Sequence, residues 1–139
     1  MSSSGNGEIY IGRNVHIAIN SSLIGQENIL ISDFANISSR VAIYSSSDDF
    51  SGDWMTNPTI PERYTNVYSQ PVLIGKHVII GTGSTILPGV QLSDCCAVGA
   101  MSLVKNSYPE FTIVCGVPSR KVGFRNDNLL QLENDFNND

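Results

Sequence analysis

Asp48 and Asp49 stand side by side in the middle of the chain, inside the stretch YSSSDDFSGDWMTNPTIPERYTNVYSQP, Tyr44 to Pro71. Two carboxylates in one cleft resist joint ionisation, so one tends to keep a proton and can move protons near neutral pH. Adjacent residues of an extended segment point opposite ways, which argues against a shared site. The same stretch gathers Asp53, Trp54, Glu62, Arg63 and Tyr64 and holds no histidine. The two histidines of the chain, His16 and His77, lie outside it in the hexads GRNVHI and GKHVII, beside corners where solvated residues are ordinary. A second group is basic. Lys105, Arg120, Lys121 and Arg125 are half of the eight Lys and Arg and fall near the end of the main body. Guanidinium groups clasp phosphate oxygens bidentately, so this cluster suits a phosphorylated small molecule.

Charge and composition remove other classes. Thirteen acidic against eight basic residues give a net charge of −5, of which −4 falls on residues 126–139 through Asp127, Glu133, Asp135 and Asp139, leaving −1 on residues 1–125. That balance argues against a nucleic-acid partner. No apolar run nears the roughly 20 residues that span a bilayer, so no transmembrane segment is expected. MSSSGNG lacks a charged start followed by an apolar core, so it reads as a loose tail over residues 1–8, not a secretory signal, and the location expected is cytoplasmic. Cys95, Cys96 and Cys115 are odd in number and lack metal spacing. They read as small buried thiols, with neither a disulfide framework nor a metal site expected.

The elements that must position these groups follow a six-residue period. From residue 74 an aliphatic residue recurs at Ile74, Ile80, Ile86, Leu92, Val98 and Val104, and the fifth place of each unit is small or β-branched: Val78, Ser84, Val90, Cys96 and Ser102. Six residues drift off a 3.6-residue helical face, and Gly75, Gly81, Gly83, Pro88, Gly89 and Gly99 would cost a helix heavily. A short strand plus a corner, repeated coil upon coil, fits the period, with the glycines read as corner residues. The first half keeps the ruler at Ile11, Ile17 and Leu23, slips by two at Ile29-Leu30, and resumes at Ile31, Ile37 and Ile43. Each coil cannot bury its own face, so stability must come from the coils above and below. The 139 residues suit one domain.

The pattern [Ile/Leu/Val]-[Gly/small]-x-x-[small]-x resembles the hexapeptide-repeat acyltransferases, over roughly residues 9–122. The resemblance implies an all-β fold, a left-handed parallel β-helix, with loop 45–71 protruding and residues 123–139 forming a short helical or irregular tail. YPEFTIVCGVPSRKVGFR (108–125) looks like the family's closing element. IGKHVIIGTGSTILPGV resembles the coil after the active-site loop in galactoside, maltose and xenobiotic acetyltransferases. The likeness implies acetyl-CoA as donor, a homotrimer with active sites between subunits, and a sugar acceptor, as in bacterial surface-polysaccharide synthesis. By position, Thr82 and Ala100 match places along the pantetheine arm. Lys105 matches its outer end, and Arg120 the basic residue near adenine and phosphates, with Lys121 and Arg125 as neighbours.

One departure matters. Laid on the family's coils without gaps, ISDFANISSRVAIYSSSD brings the catalytic histidine of the galactoside and maltose enzymes onto Asp48. Asp48 or Asp49 is then the expected base, given a carboxyl raised from its usual ~3.9 toward neutrality. An amino-sugar acceptor, nucleotide-linked, lessens the demand for a strong base. Trp54 and Tyr64 are expected to stack on the sugar and Arg63 or Glu62 to bond its hydroxyls. A loop longer than about 12–15 residues is functional or disordered as a rule, and the apolar content here favours order. Loss of the histidine keeps a catalytically silent, CoA-binding β-helix in view. Two scattered histidines argue against a metal hydratase. In the tail NDNLLQLENDFNND, Asp127 or Asn128 is the expected cap of a short helix over the coil end.

Overall fold

In the computed structural model, which describes residues 2–3 by backbone alone and residues 5–139 in full, short strands pair in parallel with strands one coil away. Three sheets result. The first joins Ser2–Ser3, Ser22–Gly25, Ala42–Tyr44, Thr85–Ile86 and Leu103–Val104. The second joins Ile9–Ile11, Ile29–Ile31, Val72–Ile74 and Gln91–Leu92. The third joins His16–Ile17, Asn36–Ile37, Ile79–Ile80, Ala97–Val98 and Thr112–Cys115, and adds Arg120–Phe124 antiparallel at its edge. Stacked partners lie twenty residues apart early in the chain (Ile11 on Ile31, Ile17 on Ile37, Leu23 on Ile43) and eighteen apart later (Ile74 on Leu92, Ile80 on Val98, Ile86 on Val104). Three six-residue sides therefore make one late coil, and the slip at Ile29-Leu30 is a longer turn between the first and second sheets.

Both ruler positions fill the interior. Ile74, Ile80, Ile86, Leu92, Val98 and Val104 are buried, and so are the fifth-place residues Val78, Ser84, Val90, Cys96 and Ser102. Burial of one such aliphatic side chain is worth roughly 1.5–3 kcal/mol. The two interior hydroxyls are satisfied: Ser84 and Ser102 each donate to Gly99 O, at 3.0 and 2.7 Å. Cys95 and Cys96 are buried as expected, and burial pushes both thiols up. Cys115, at the end of its strand, is exposed.

The glycines do something other than turn most corners. A Cβ on Gly75 would meet Asp94 N at 2.7 Å, on Gly81 Ala100 N at 2.5 Å, and on Gly99 Cys115 Cβ at 2.9 Å, so they stand where the next coil crosses closely. Left-handed backbone falls two residues further on, mostly at other residue types: Asn14, Phe34, His77, Cys95 and Phe111 in one corner column, Asn20, Arg40, Gly83 and Met101 in another. Each corner N–H above the first coil donates to the preceding coil's corner carbonyl, for example Phe34 to Arg13 O at 2.9 Å and Cys95 to Lys76 O at 2.7 Å. A net gain of about 1 kcal/mol per hydrogen bond offsets much of the left-handed cost at these residues.

Ser2 and Ser3 pair with Ile24 and Gly25; of the tail expected over residues 1–8, Met1 and Ser4 lie outside the described residues. At the other end a helix runs Asn128–Asn137. Asp127 occupies the cap position without a side-chain bond, and the Asn128 N–H donates to Asn126 Oδ1 at 2.8 Å instead. The helix lies along the first corner column. Phe136 meets Phe34 edge-on at 5.8 Å, and Phe34 stacks on His77 at 4.9 Å. Among the described residues no helix is long and apolar enough to cross a membrane.

Candidate active site

Residues 45–71 leave the first sheet after Tyr44 and rejoin the second at Val72. The root is fixed by Ser45, which is fully buried: its N–H donates to Ile24 O at 2.9 Å, its hydroxyl to Glu27 O at 2.7 Å, and its carbonyl accepts the Gln70 N–H at 3.0 Å. Ser46–Ser47 then pairs antiparallel with Tyr68–Ser69 to form a two-stranded stem. Beyond the stem the loop is exposed but internally bonded. Met55 N–H donates to Tyr64 O at 2.9 Å, which brings Trp54 and the turn Glu62–Tyr64 to the same end of the loop. There the Arg63 guanidinium sits 4.6 Å from the centre of the Tyr64 ring, and both Trp54 and Tyr64 remain about half exposed.

The structure separates the two aspartates. The Asp49 carboxylate accepts the Ser51 N–H at 2.8 Å, the Ser51 hydroxyl, and Asn66 Nδ2 at 3.1 Å. Those donors, the Ser51 hydroxyl foremost, hold its carboxyl below the ordinary carboxylate range. A carboxyl so held is a poor proton acceptor near neutrality. Asp48 is exposed, and its carboxylate has no hydrogen bond or ion pair among the described residues; only its backbone carbonyl is used, accepting Ser47 Oγ at 3.1 Å. The two carboxylates share no partner.

Thr82 and Ala100 come together in the second corner column, where Met101 N–H donates to Thr82 O at 2.8 Å. Thr82 Oγ1 donates to Ser39 O at 2.7 Å and lies 3.1 Å from Ser39 Oγ, so Ser39 is a member of this column that sequence patterning did not single out. The column continues upward at Gly116, whose N–H donates to Ser102 Oγ at 3.1 Å. The first sheet (Ala42–Tyr44, Thr85–Ile86, Leu103–Val104) runs from this column to the corner where the loop is rooted, so one face is flanked by Thr82 and Ala100 on one side and the aspartate loop on the other.

The basic residues divide. Lys105 follows Val104 at the loop side of that face and is exposed. Arg120 and Lys121 are exposed on the last strand, paired to Cys115 and Val114, with Lys121 Nζ 3.6 Å from the centre of the Phe124 ring. Arg125 stands apart: its Nη1 donates to His77 O at 2.7 Å, Cys95 O at 3.2 Å and Cys96 O at 3.4 Å, on the first corner column. An open cavity of about 760 Å³ beside it is lined by Ile113, Phe124, Asn126, Asn128 and Leu129. The histidines are engaged elsewhere, His16 Nδ1 with Asn36 Oδ1 at 2.9 Å and His77 Nε2 with Glu133 Oε2 at 2.7 Å.

No family model matches the chain. Individual proteins do. A dTDP-4-amino-4,6-dideoxy-D-glucose acyltransferase of Escherichia coli is 50% identical over 134 residues, 96% of this chain and 70% of that protein. AntD, an N-acyltransferase from Bacillus cereus solved with dTDP-4-amino-4,6-dideoxyglucose and coenzyme A, superposes with a TM-score of 0.91 at 46% identity, covering 95% of this chain and 71% of that chain. The galactoside O-acetyltransferase of Escherichia coli K12 is 31% identical over 121 residues, 86% of this chain and 55% of that protein. The identities, the coil ruler and the loop between coils agree: the chain belongs to the hexapeptide-repeat acyltransferase family, in the branch that holds the galactoside acetyltransferases.

Proposed function

We propose that the chain transfers an acyl group from an acyl-CoA to the amino group of a nucleotide-linked amino-sugar. The observation that carries this reading is the 50% identity to a dTDP-amino-sugar acyltransferase over nearly the whole chain, loop included, against 31% for a galactoside O-acetyltransferase. The hydroxyl acceptor expected first from the sequence therefore gives way to the amine. In AntD the variants solved alter one aspartate and one serine ten positions before it. Ser38 and Asp48, Ser39 and Asp49, and Ser84 and Asp94 have that separation here. Asp49 is held by Ser51 and Asn66 and Asp94 by the Lys76 N–H at 2.8 Å, so of the three only Asp48 has a free carboxylate among the described residues.

The chemistry asks little of the base. A neutral amine is already a nucleophile; it attacks the thioester carbonyl, the C–N bond forms, the C–S bond breaks, and the sulfur leaves as thiolate. Asp48 accepts the proton shed by nitrogen, which then passes to the thiolate to give free CoA. Thr82 and Ala100 line the pantetheine path, with Lys105, Arg120 and Lys121 on the phosphates and adenine end. Arg125 is left out of this set because its guanidinium is bound to three carbonyls. Trp54, Arg63 and Tyr64 face the acceptor. The coil stack is taken as a left-handed β-helix assembled as a trimer with sites between subunits, in a cytoplasmic enzyme that supplies acylated sugars for surface polysaccharide.

Free-thiol release from acetyl-CoA tests the reading. Release is expected with dTDP-4-amino-4,6-dideoxyglucose and not with a galactoside; release with the galactoside alone overturns it. Calorimetric CoA binding without turnover on either acceptor would favour the silent β-helix.

A further inference from the structure

We infer that Asp49 and Asn66 form a positioning pair that fixes the orientation of Asp48; this rests on the reading of Asp48 as the proton acceptor. In the stem Ser46 lies opposite Ser69 and Ser47 opposite Tyr68. Carried two residues outward, the same antiparallel register sets Asp48 opposite Val67 and Asp49 opposite Asn66. The ladder stops after Ser47, yet Asn66 Nδ2 still donates to Asp49 Oδ2 at 3.1 Å, so a side-chain bond closes the two limbs where backbone pairing has ended. Successive side chains in such a segment alternate faces. With Asp49 turned to Asn66, Asp48 is directed to the opposite face, the one that carries Val67. The other oxygen of Asp49 holds the Ser51 N–H and hydroxyl, and Ser51 Oγ in turn accepts the Asp53 N–H at 3.1 Å, so the outgoing limb is pinned just past Asp48. Every acceptor position of Asp49 that the loop needs is thus used to hold shape, while Asp48 uses none.

The pair can be exchanged to test this. Asp49→Ala and Asn66→Ala are expected to lower kcat for dTDP-4-amino-4,6-dideoxyglucose about 10- to 100-fold with KM for acetyl-CoA unchanged. The double exchange Asp49→Asn with Asn66→Asp keeps one amide and one carboxylate across the same gap and is expected to restore most of kcat. Trp54 is the only tryptophan of the chain and lies in this loop, so its acrylamide quenching reports loop order directly. Quenching should rise in both alanine variants and return in the exchange. Wild-type kcat in both alanine variants overturns the inference, as does an exchange that stays as slow as they are. If the wild type is silent on the amino-sugar, it is the acyl-transfer reading that fails. The quenching then decides alone: equal values in wild type and Asn66→Ala overturn the pair, and a rise reversed by the exchange supports it.

Discussion

His77 Nε2 lies 2.7 Å from Glu133 Oε2, and the other oxygen of the same carboxylate lies 2.7 Å from Lys76 Nζ, so one glutamate of the last helix clasps two neighbouring residues at a coil corner. The hydrogen bonds from Lys76 and then His77 hold the Glu133 carboxyl below the ordinary carboxylate range. Its contribution to stability is therefore complete above the unfolded-state value of about 4.3 and is lost as pH falls through the lower, folded value. Lys76 is shifted the other way, up, chiefly by Glu133, so its share is complete below about 10.4 and is lost as pH rises through the folded value. The clasp is expected to operate from about pH 5 to 10. Glu133→Gln should loosen the helix within that window at a cost of roughly 1 kcal/mol, with the part-exposed lysine screened by solvent. Thermal unfolding followed across pH checks this: the gap between wild type and variant should narrow as pH falls below about 4.3 and through the lower folded value.

Arg125 should be a stability residue and not a donor contact. Arg125→Ala takes the guanidinium donor from the carbonyls of His77 and Cys95, while Cys96 O keeps the Ile79 N–H at 3.1 Å, at an expected cost of about 2 kcal/mol. CoA affinity by calorimetry should stay within about twofold of wild type. On the proposed reading, in which both face CoA phosphates, Arg120→Ala and Lys121→Ala should do the reverse, weakening CoA by about 3- to 10-fold while the melting temperature barely moves, because both side chains are exposed.

The contrast shows which parts of the molecule a sequence exposes. Ile74 to Val104 and their fifth-place neighbours were legible because a coil repeats its own burial pattern every six residues, and each of those side chains is buried. The Thr82–Ala100 column follows from the same repeat, since residues eighteen apart must stack. Contacts made outside the repeat left no period to read. Glu133 reaches Lys76 across 57 positions, and Arg125 reaches His77 across 48. Nothing local marks either. Glycine stands at the corners for two reasons: Gly83 and Gly89 take left-handed backbone, whereas Gly75, Gly81 and Gly99 answer to a neighbouring coil and the corner N–H ladder lets Phe34, His77 and Cys95 turn.

Gly81 gives that distinction a test. A methyl group there would stand 2.5 Å from Ala100 N and 2.8 Å from Ala100 Cα, and backbone atoms of a stacked coil cannot step aside one at a time. Gly81→Ala is expected to cost about 3 kcal/mol, seen as a lower midpoint in urea at nearly unchanged slope. Because the strain falls between Thr82 and Ala100, the folded fraction should also bind CoA more weakly. Gly123→Ala is the control: its added Cβ meets nothing within 4 Å, and both readouts should stay close to wild type.

Asp48 and Asp49 differ by one position and should differ sharply in what their loss does. Asp48→Asn keeps size and polarity but removes the free carboxylate, so kcat for the amino-sugar is expected to fall by about 10²- to 10⁴-fold, the range of a lost general base. Loop order should not change, since the Asp48 side chain bonds to nothing among the described residues. Trp54 quenching should therefore match the wild type, in contrast to the Asp49 and Asn66 alanine variants. Asp48→His puts an imidazole at the same place, and an imidazole accepts protons near neutral pH. It should recover more activity than Asp48→Asn under the same assay of CoA release. An Asp48→Asn protein that turns over at the wild-type rate would remove Asp48 from the chemistry altogether.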